Sequence, residues 1–184
     1  MLLLSDSFAD TCKDGTVYLD TNVFICAQEQ LELAEIISNL TSMYKVAFVT
    51  LSSVEYEYSR GSQTLEEIKL RRQFVRSIVS NVLPVGRVLE QEKNDIFSAA
   101  MSLVVGKKNS QYTDYLLAVA LHAYKNGIDN QFILSADIRA FPVVLFDIAG
   151  VVTLNRENGD ITHLHLIKLD DVKYAGILKK LSNS

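Results

Sequence analysis

Four carboxylates stand in or beside mainly apolar segments of this chain. Asp20 follows "VYL", Glu55 follows "FVTLSSV", Asp114 opens a long apolar run and Asp137 follows "FILSA". Isolated buried charge is expensive, so four such acids require compensation. A divalent cation would provide it. An all-oxygen donor set suits Mg²⁺ or Mn²⁺, which bind few carboxylates and keep several waters. Each acid also has a plain structural reading. Asp20, Thr21 and Asn22 are all good N-caps for a helix starting near Val23. Asp114 complements the positive end of a helix, and Asp137 can cap a short helix through Ala140. Glu55 stands three residues after Ser52, the spacing of a capping box. These readings leave unexplained why all four acids fall where one crevice would gather them.

The elements that must position the acids alternate in type. Val17–Leu19 reads as a first strand, "KVAFVT" (45–50) as a second and "QFILS" (131–135) as a third. Between them the spacing of apolar residues predicts helices over 28–40, 52–61 and 63–82. Pro84 and Gly86 break the pattern, and a further helix is expected over about 90–105. The segment 110–127 is apolar nearly all round, which predicts a central helix with Gly127 at its C-cap. "VVTLNRENGDITHLHLIKL" (151–169) places two apolar runs around "ENGD", a hairpin pattern. This order predicts an α/β fold, Rossmann-like and three-layered, with a parallel sheet covered by helices on both faces. In such a sheet ligands gather at the carboxyl ends of the strands. The hairpin would add antiparallel strands at one edge or form a small appendage. We therefore expect a main unit over 1–150 and a hairpin extension over 151–184 packed on it.

A chain of 184 residues suffices for one domain with a sizeable core. Its net charge of −4 gives no general attraction to nucleic acid or anionic membrane. The start, "MLLLSDSF", has too short an apolar run and no basic lead for a signal peptide. No stretch approaches the roughly 18 apolar residues of a membrane span. Cys12 and Cys26 form no metal or redox motif, and a reducing, cytoplasmic setting is the expectation. In "KLRRQFVR" (69–76), Lys69, Arg72 and Arg76 share a helical stripe that could meet phosphates. A solvated helix face, partly neutralised by Glu66 and Glu67, is the plain alternative. Lys107 and Lys108 form a second small cluster. His163 and His165 alternate on one face of the hairpin, His122 lies in an apolar helix and Cys26 reads as a small apolar residue. Tyr56 and Tyr58 could stack on bases, although packing accounts for them as well.

The segments "YLDTNVFI" (18–25), "TLSSVEYE" (50–57), "YTDYLLAVALHA" (112–123) and "FILSADIRAF" (132–141) resemble the PIN-domain family of metal-dependent ribonucleases. They occur in that family's order and span roughly 18–141. The resemblance implies a compact acidic site, one or two Mg²⁺ or Mn²⁺ ions, and hydrolysis of RNA phosphodiesters to 5′-phosphate and 3′-hydroxyl products. Position by position, Asp20 matches the first acid, Glu55 the second, Asp114 the third and Asp137 the last. Ser135 matches a Ser or Thr two residues before the last acid, and Asn22 a supporting amide. Glu57 also suits the second position by its distance to Gly61. On a helix Glu55 and Glu57 point about 200° apart, so one of them faces the metal. The capping-box spacing favours Glu55. The resemblance further implies single-stranded RNA as substrate, an antitoxin protein as a possible partner and a possible homodimer. The departures are about 16 residues before the first strand, a long segment from Gly61 to Ser110, and a C-terminal part outside the resemblance. A catalytically silent PIN-like module that binds RNA or protein is the competing class. A phosphatase on a similar sheet would want D-x-D after the first strand, where this chain has Asp20-Thr21-Asn22.

Overall fold

The computed structural model describes residues 2–5, 7–92, 112–123, 130–156 and 159–182. In chain order the elements are β1 (Leu2–Leu4), α1 (Phe8–Cys12), β2 (Thr16–Leu19), α2 (Thr21–Glu29), α3 (Leu31–Tyr44), β3 (Ala47–Leu51), α4 (Ser52–Ser59) and α5 (Leu65–Ile78). They continue with β4 (Asn81–Leu83), α6 (Val85–Glu92), α7 (Tyr112–Ala123), β5 (Gln131–Ser135), a 3₁₀ turn (Ile138–Ala140), β6 (Phe146–Asn155), β7 (Ile161–Leu169) and α8 (Asp171–Ser182).

The continuous apolar runs become the centre of one seven-stranded sheet, ordered β1-β6-β7-β5-β2-β3-β4. Strands buried on both faces carry such runs, and β5 is buried at every position. β2 lies between β3 and β5 and is parallel to both, and β4 is parallel to β3. The chain moves outward from β2 to β4 and then returns to β5 on the other side of β2. That reversal opens a crevice beyond the carboxyl ends of β2 and β5. The helices pack in two groups. α1 to α5 contact one another, whereas α6 packs on α7 and His122 of α7 meets the Tyr174 ring of α8 edge-on.

The α/β class stands, but the sheet is mixed. β7 is antiparallel to β5, β6 to β7 and β1 to β6. The hairpin is therefore no appendage. It continues the main sheet through β5, begins at Phe146 rather than 151, and is covered at its edge by β1 from the other end of the chain. Gly159, with φ +87°, takes the left-handed conformation its turn requires.

Several helix boundaries differ from the sequence reading for local reasons. Gln30 is extended, so the expected 28–40 helix is two helices, α2 and α3. The expected 63–82 helix ends at Ile78, because Asn81–Leu83 pairs with β3 as an edge strand. Ser52 caps nothing. Leu51 occupies the N-cap of α4 without a side-chain bond, and the Ser52 hydroxyl accepts the Val85 N–H at 3.1 Å. The capping box belongs instead to α5, where Thr64 and Glu67 bond reciprocally. α7 is the central helix the sequence predicts, with Leu116 to Leu121 all buried. The expected 93–105 stretch of helix, Lys107, Lys108 and Gly127 lie outside the described residues. Among the described residues no helix is long and apolar enough to cross a membrane.

Candidate active site

β2 ends at Leu19, and Asp20 becomes the N-cap of α2. Thr50 holds that strand end by donating its hydroxyl to the Leu19 carbonyl at 2.7 Å. Asp20 is only 4% exposed, and three donors converge on it. The Thr21 N–H reaches Oδ1 at 2.6 Å, while the Asn22 amide and the Ser135 hydroxyl reach Oδ2 at 2.6 and 2.7 Å. Ser135, the last residue of β5, is fully buried. Its Oγ also accepts the Asn22 amide at 3.2 Å and the Asp137 N–H at 3.0 Å. Asn22 Oδ1 accepts the Ala136 N–H at 2.9 Å. These bonds tie the carboxyl ends of β2 and β5 into one polar cluster across the switch point.

Burial pushes the Asp20 carboxyl above its ordinary value. The bonds from Ser135, Thr21 and Asn22 pull it back, and the negative charge of Glu57 pushes it further up. Glu57 is thus close enough to be felt. Its Oε2 accepts the Thr21 hydroxyl at 2.9 Å, and its Oε1 lies 3.9 Å from the Arg60 guanidinium. Asp137 caps the 3₁₀ turn, its Oδ1 accepting the Arg139 N–H at 3.1 Å and facing Arg139 Nε at 3.4 Å. Asp114 sits in the first turn of α7.

Asp20, Thr21, Asn22, Ile25, Glu57, Asp114 and Asp137 line one crevice of about 220 Å³. The structure therefore brings together Asp20, Asn22, Asp114 and Asp137 as the sequence predicted, with Ser135 behind them. It does not bring Glu55. That side chain is buried on the other side of α4, where Oε1 accepts a bond from Arg76 Nε at 2.9 Å. Glu57 takes the place in the crevice that the capping-box argument assigned to Glu55. The signal available in the sequence was the distance from Glu57 to Gly61. The partner that engages Glu55 is 21 residues away and was not readable.

Arg76 is thereby removed from the expected basic stripe. Lys69 and Arg72 are exposed, with no ion-pair partner among the described residues. Arg71 turns inward, donating to the Tyr58 carbonyl at 2.8 Å and lying 5.4 Å over its ring. His163 is exposed and shares a hydrogen bond with the Thr153 hydroxyl, a half-exposed hairpin face as expected.

The donor set bears on which cation would fit. Among the described residues no three His, Cys, Asp or Glu side chains converge as a ready-made metal cluster. Asp20, Glu57, Asp114 and Asp137 line the crevice, and Mg²⁺ is a cation that one or two carboxylates can hold together with its own waters. All the donors are oxygens, which accords with Mg²⁺ or Mn²⁺. No family model, curated protein or solved structure matches the chain.

Proposed function

We propose that the crevice is the active site of a PIN-like endoribonuclease dependent on Mg²⁺ or Mn²⁺, working in the cytoplasm on single-stranded RNA. The observation that supports this best is the set of four carboxylates from four different elements, Asp20, Glu57, Asp114 and Asp137, facing one crevice at the switch point of the sheet. A divalent cation, when bound, supplies positive charge against a non-bridging phosphate oxygen and a source of hydroxide near neutral pH. Asp20 and Glu57 would hold it, with Asp114 and Asp137 lining the same crevice. Asn22 and Ser135 fix the Asp20 carboxylate in one orientation, and Thr21 does the same for Glu57. Because all lone pairs and the proton of Ser135 are engaged, its role is to orient rather than to attack. Lys69 and Arg72 would meet the RNA backbone. An antitoxin partner and a homodimer remain part of this reading through the family resemblance.

The test is cleavage of labelled single-stranded RNAs with Mn²⁺, Mg²⁺ or EDTA, comparing wild type with Asp20→Asn and Glu57→Gln. Metal-dependent cleavage that both variants lose is the expected result. Wild-type activity in Asp20→Asn would refute the assignment. Mn²⁺ stabilisation of the wild type alone, without cleavage of any RNA, would point to the silent binding module.

A further inference from the structure

Two arginines stand against acids of the crevice, and both are held loosely. The Arg60 guanidinium, at the C-cap of α4, lies 3.9 Å from Glu57 Oε1 with its side chain 63% exposed. Arg139 reaches Asp137 Oδ1 through Nε at 3.4 Å, and its side chain is 90% exposed. Charge-assisted bonds of this kind close to about 2.7–2.9 Å when well made. Other arginines of the chain are held more tightly. Arg76 bonds Glu55 at 2.9 Å, Arg156 lies 3.0 Å from Glu29, and Arg71 donates to the Tyr58 carbonyl at 2.8 Å. Among the described residues the side chains of Arg60 and Arg139 engage no other group. Asp137 does not need the Arg139 guanidinium for its cap, because the Arg139 backbone N–H fills that role at 3.1 Å. Ion pairs this exposed also contribute little to stability.

The placement of the two arginines is matched. Glu57 and Arg60 belong to the helix that follows β3, Asp137 and Arg139 to the turn that follows β5, and β3 and β5 flank β2. Asp20, at the end of β2, therefore has an arginine-bearing element after each neighbouring strand. A guanidinium presents five N–H donors in a planar fork that matches phosphate oxygens. A crevice lined by Asp20, Glu57, Asp114 and Asp137 repels a polyanion unless cations stand beside it.

We propose that Arg60 and Arg139 are phosphate-binding arms of the crevice. Glu57 and Asp137 hold them in the absence of a divalent cation. A cation taken up by those carboxylates competes for their charge, and the arms then turn to phosphates of the entering strand. Cation and RNA thus bind with positive coupling, each raising the affinity for the other by the same factor. The proposal rests on the ribonuclease reading and adds to it the residues that link cation to substrate.

The test reads binding apart from turnover. The probe is a labelled single-stranded RNA with phosphorothioate linkages, which keep the charge and slow hydrolysis. Its affinity is followed by fluorescence anisotropy in EDTA and in Mn²⁺ over a range of salt. Wild type is compared with Arg60→Gln, Arg139→Gln, the double variant and the corresponding lysine variants. In Mn²⁺ each glutamine substitution should weaken binding about two- to five-fold and flatten the slope of log affinity against log salt by about 0.7. In EDTA these losses should vanish, because the acids already hold both arginines. Lysine should restore the slope but only part of the affinity, since it keeps the charge without the fork. The Mn²⁺-induced rise in Tm, measured without RNA, should be kept or enlarged in every variant, which shows that the fold and the cation site are intact. Wild-type affinity and slope in the double variant with Mn²⁺ would refute the arms, and the nuclease reading stands if unmodified RNA is still cleaved. Equal losses in EDTA and Mn²⁺ would refute the exchange with the acids. The expected binding pattern without cleavage of unmodified RNA keeps the arms and overturns the nuclease. If the wild type does not bind the RNA in Mn²⁺, both readings fall.

Discussion

Removing one hydroxyl separates a held charge from a mere helix cap. In Ser135→Ala, Asp20 Oδ2 loses its bond from Ser135, and the Asp137 N–H and one Asn22 amide proton lose their acceptor. Ser135 is fully buried, so water does not simply replace the missing oxygen. A hydrogen bond to a charged group contributes about 1.5–3 kcal/mol net, and a buried donor left unsatisfied costs about 1–3 kcal/mol. Some relaxation of the loop after β5 will recover part of that. A net loss of about 2–3 kcal/mol is expected, which in a chain of this size lowers Tm by about 4–12 °C.

The pH dependence carries the diagnosis. The folded Asp20 carboxyl lies above its unfolded value, chiefly through burial. The folded state therefore binds the proton more readily than the unfolded one, and Asp20 lowers stability as pH rises through the window between the two values. The Ser135 bond offsets this, because it favours the ionised form. Its loss raises the folded value further. The difference in Tm between wild type and Ser135→Ala should accordingly be smaller near pH 4, where the loss of the acceptor for Asp137 N–H and Asn22 remains, and widen as Asp20 ionises. In an Asp20→Asn background the substitution should cost less, a coupling readable in a double-mutant cycle. Denaturant melts of the four proteins at pH 4 and pH 8 make the measurement. An equal cost of Ser135→Ala at both pH values and in both backgrounds would show that Ser135 does not hold the Asp20 charge.

The two glutamates of α4 should separate stability from metal response: Glu55→Gln lowers Tm and keeps the Mn²⁺-induced rise, whereas Glu57→Gln leaves Tm nearly unchanged and loses that rise. Differential scanning fluorimetry with and without Mn²⁺ reads both, and the reverse pattern would restore Glu55 to the site. Thr64→Ala breaks the capping box of α5 and should cost about 1 kcal/mol in urea melts, while Ser52→Ala should act through the lost bond from the Val85 N–H of α6 and not through a cap of α4. Gly15→Ala would place a Cβ 2.5 Å from the Asn130 carbonyl oxygen, just where Thr16 N–H bonds to that oxygen. About 1–3 kcal/mol of overpacking strain is expected, with Tm unchanged as the contrary result.

What the sequence revealed follows from the range of each interaction. β2, β3, β5 and α7 are continuous apolar runs, and their type could be read because burial on all sides leaves no other composition. Asp20, Asp114 and Asp137 were found because each breaks or opens such a run. β4 has three residues and inherits its strand character from pairing with β3, so its sequence reads as the end of α5. The break between α2 and α3 has no Gly or Pro to mark it. The spacings Ser52–Glu55 and Thr64–Glu67 both satisfy a capping box, and only the strand running to Leu51 shows that the first cannot. Glu55 and Glu57 differ by which neighbour waits on each side of α4. Arg76 and Thr21 decide that, and both are remote in sequence.

The choice between four capping acids and one site turns on what a cap requires. Asp20 does cap α2, Asp137 does cap the 3₁₀ turn, and each of those duties is met by one backbone N–H. Asn or Ser at position 20 would accept the Thr21 N–H as well, without bringing a charge into a site where burial opposes it. This chain instead keeps a carboxylate there, sets Asn22 and Ser135 against its second oxygen, and leaves Glu57 close enough to repel it. Two donors beyond the cap stabilise an ionised Asp20 that the cap does not need. Such an arrangement raises the free energy of the empty fold and lowers that of a fold holding a cation, since the ion reverses the sign of both burial and repulsion. The donors around Asp20 beyond its cap, more than the count of acids, are what favours the proposed metal-dependent site over a plain helix terminus.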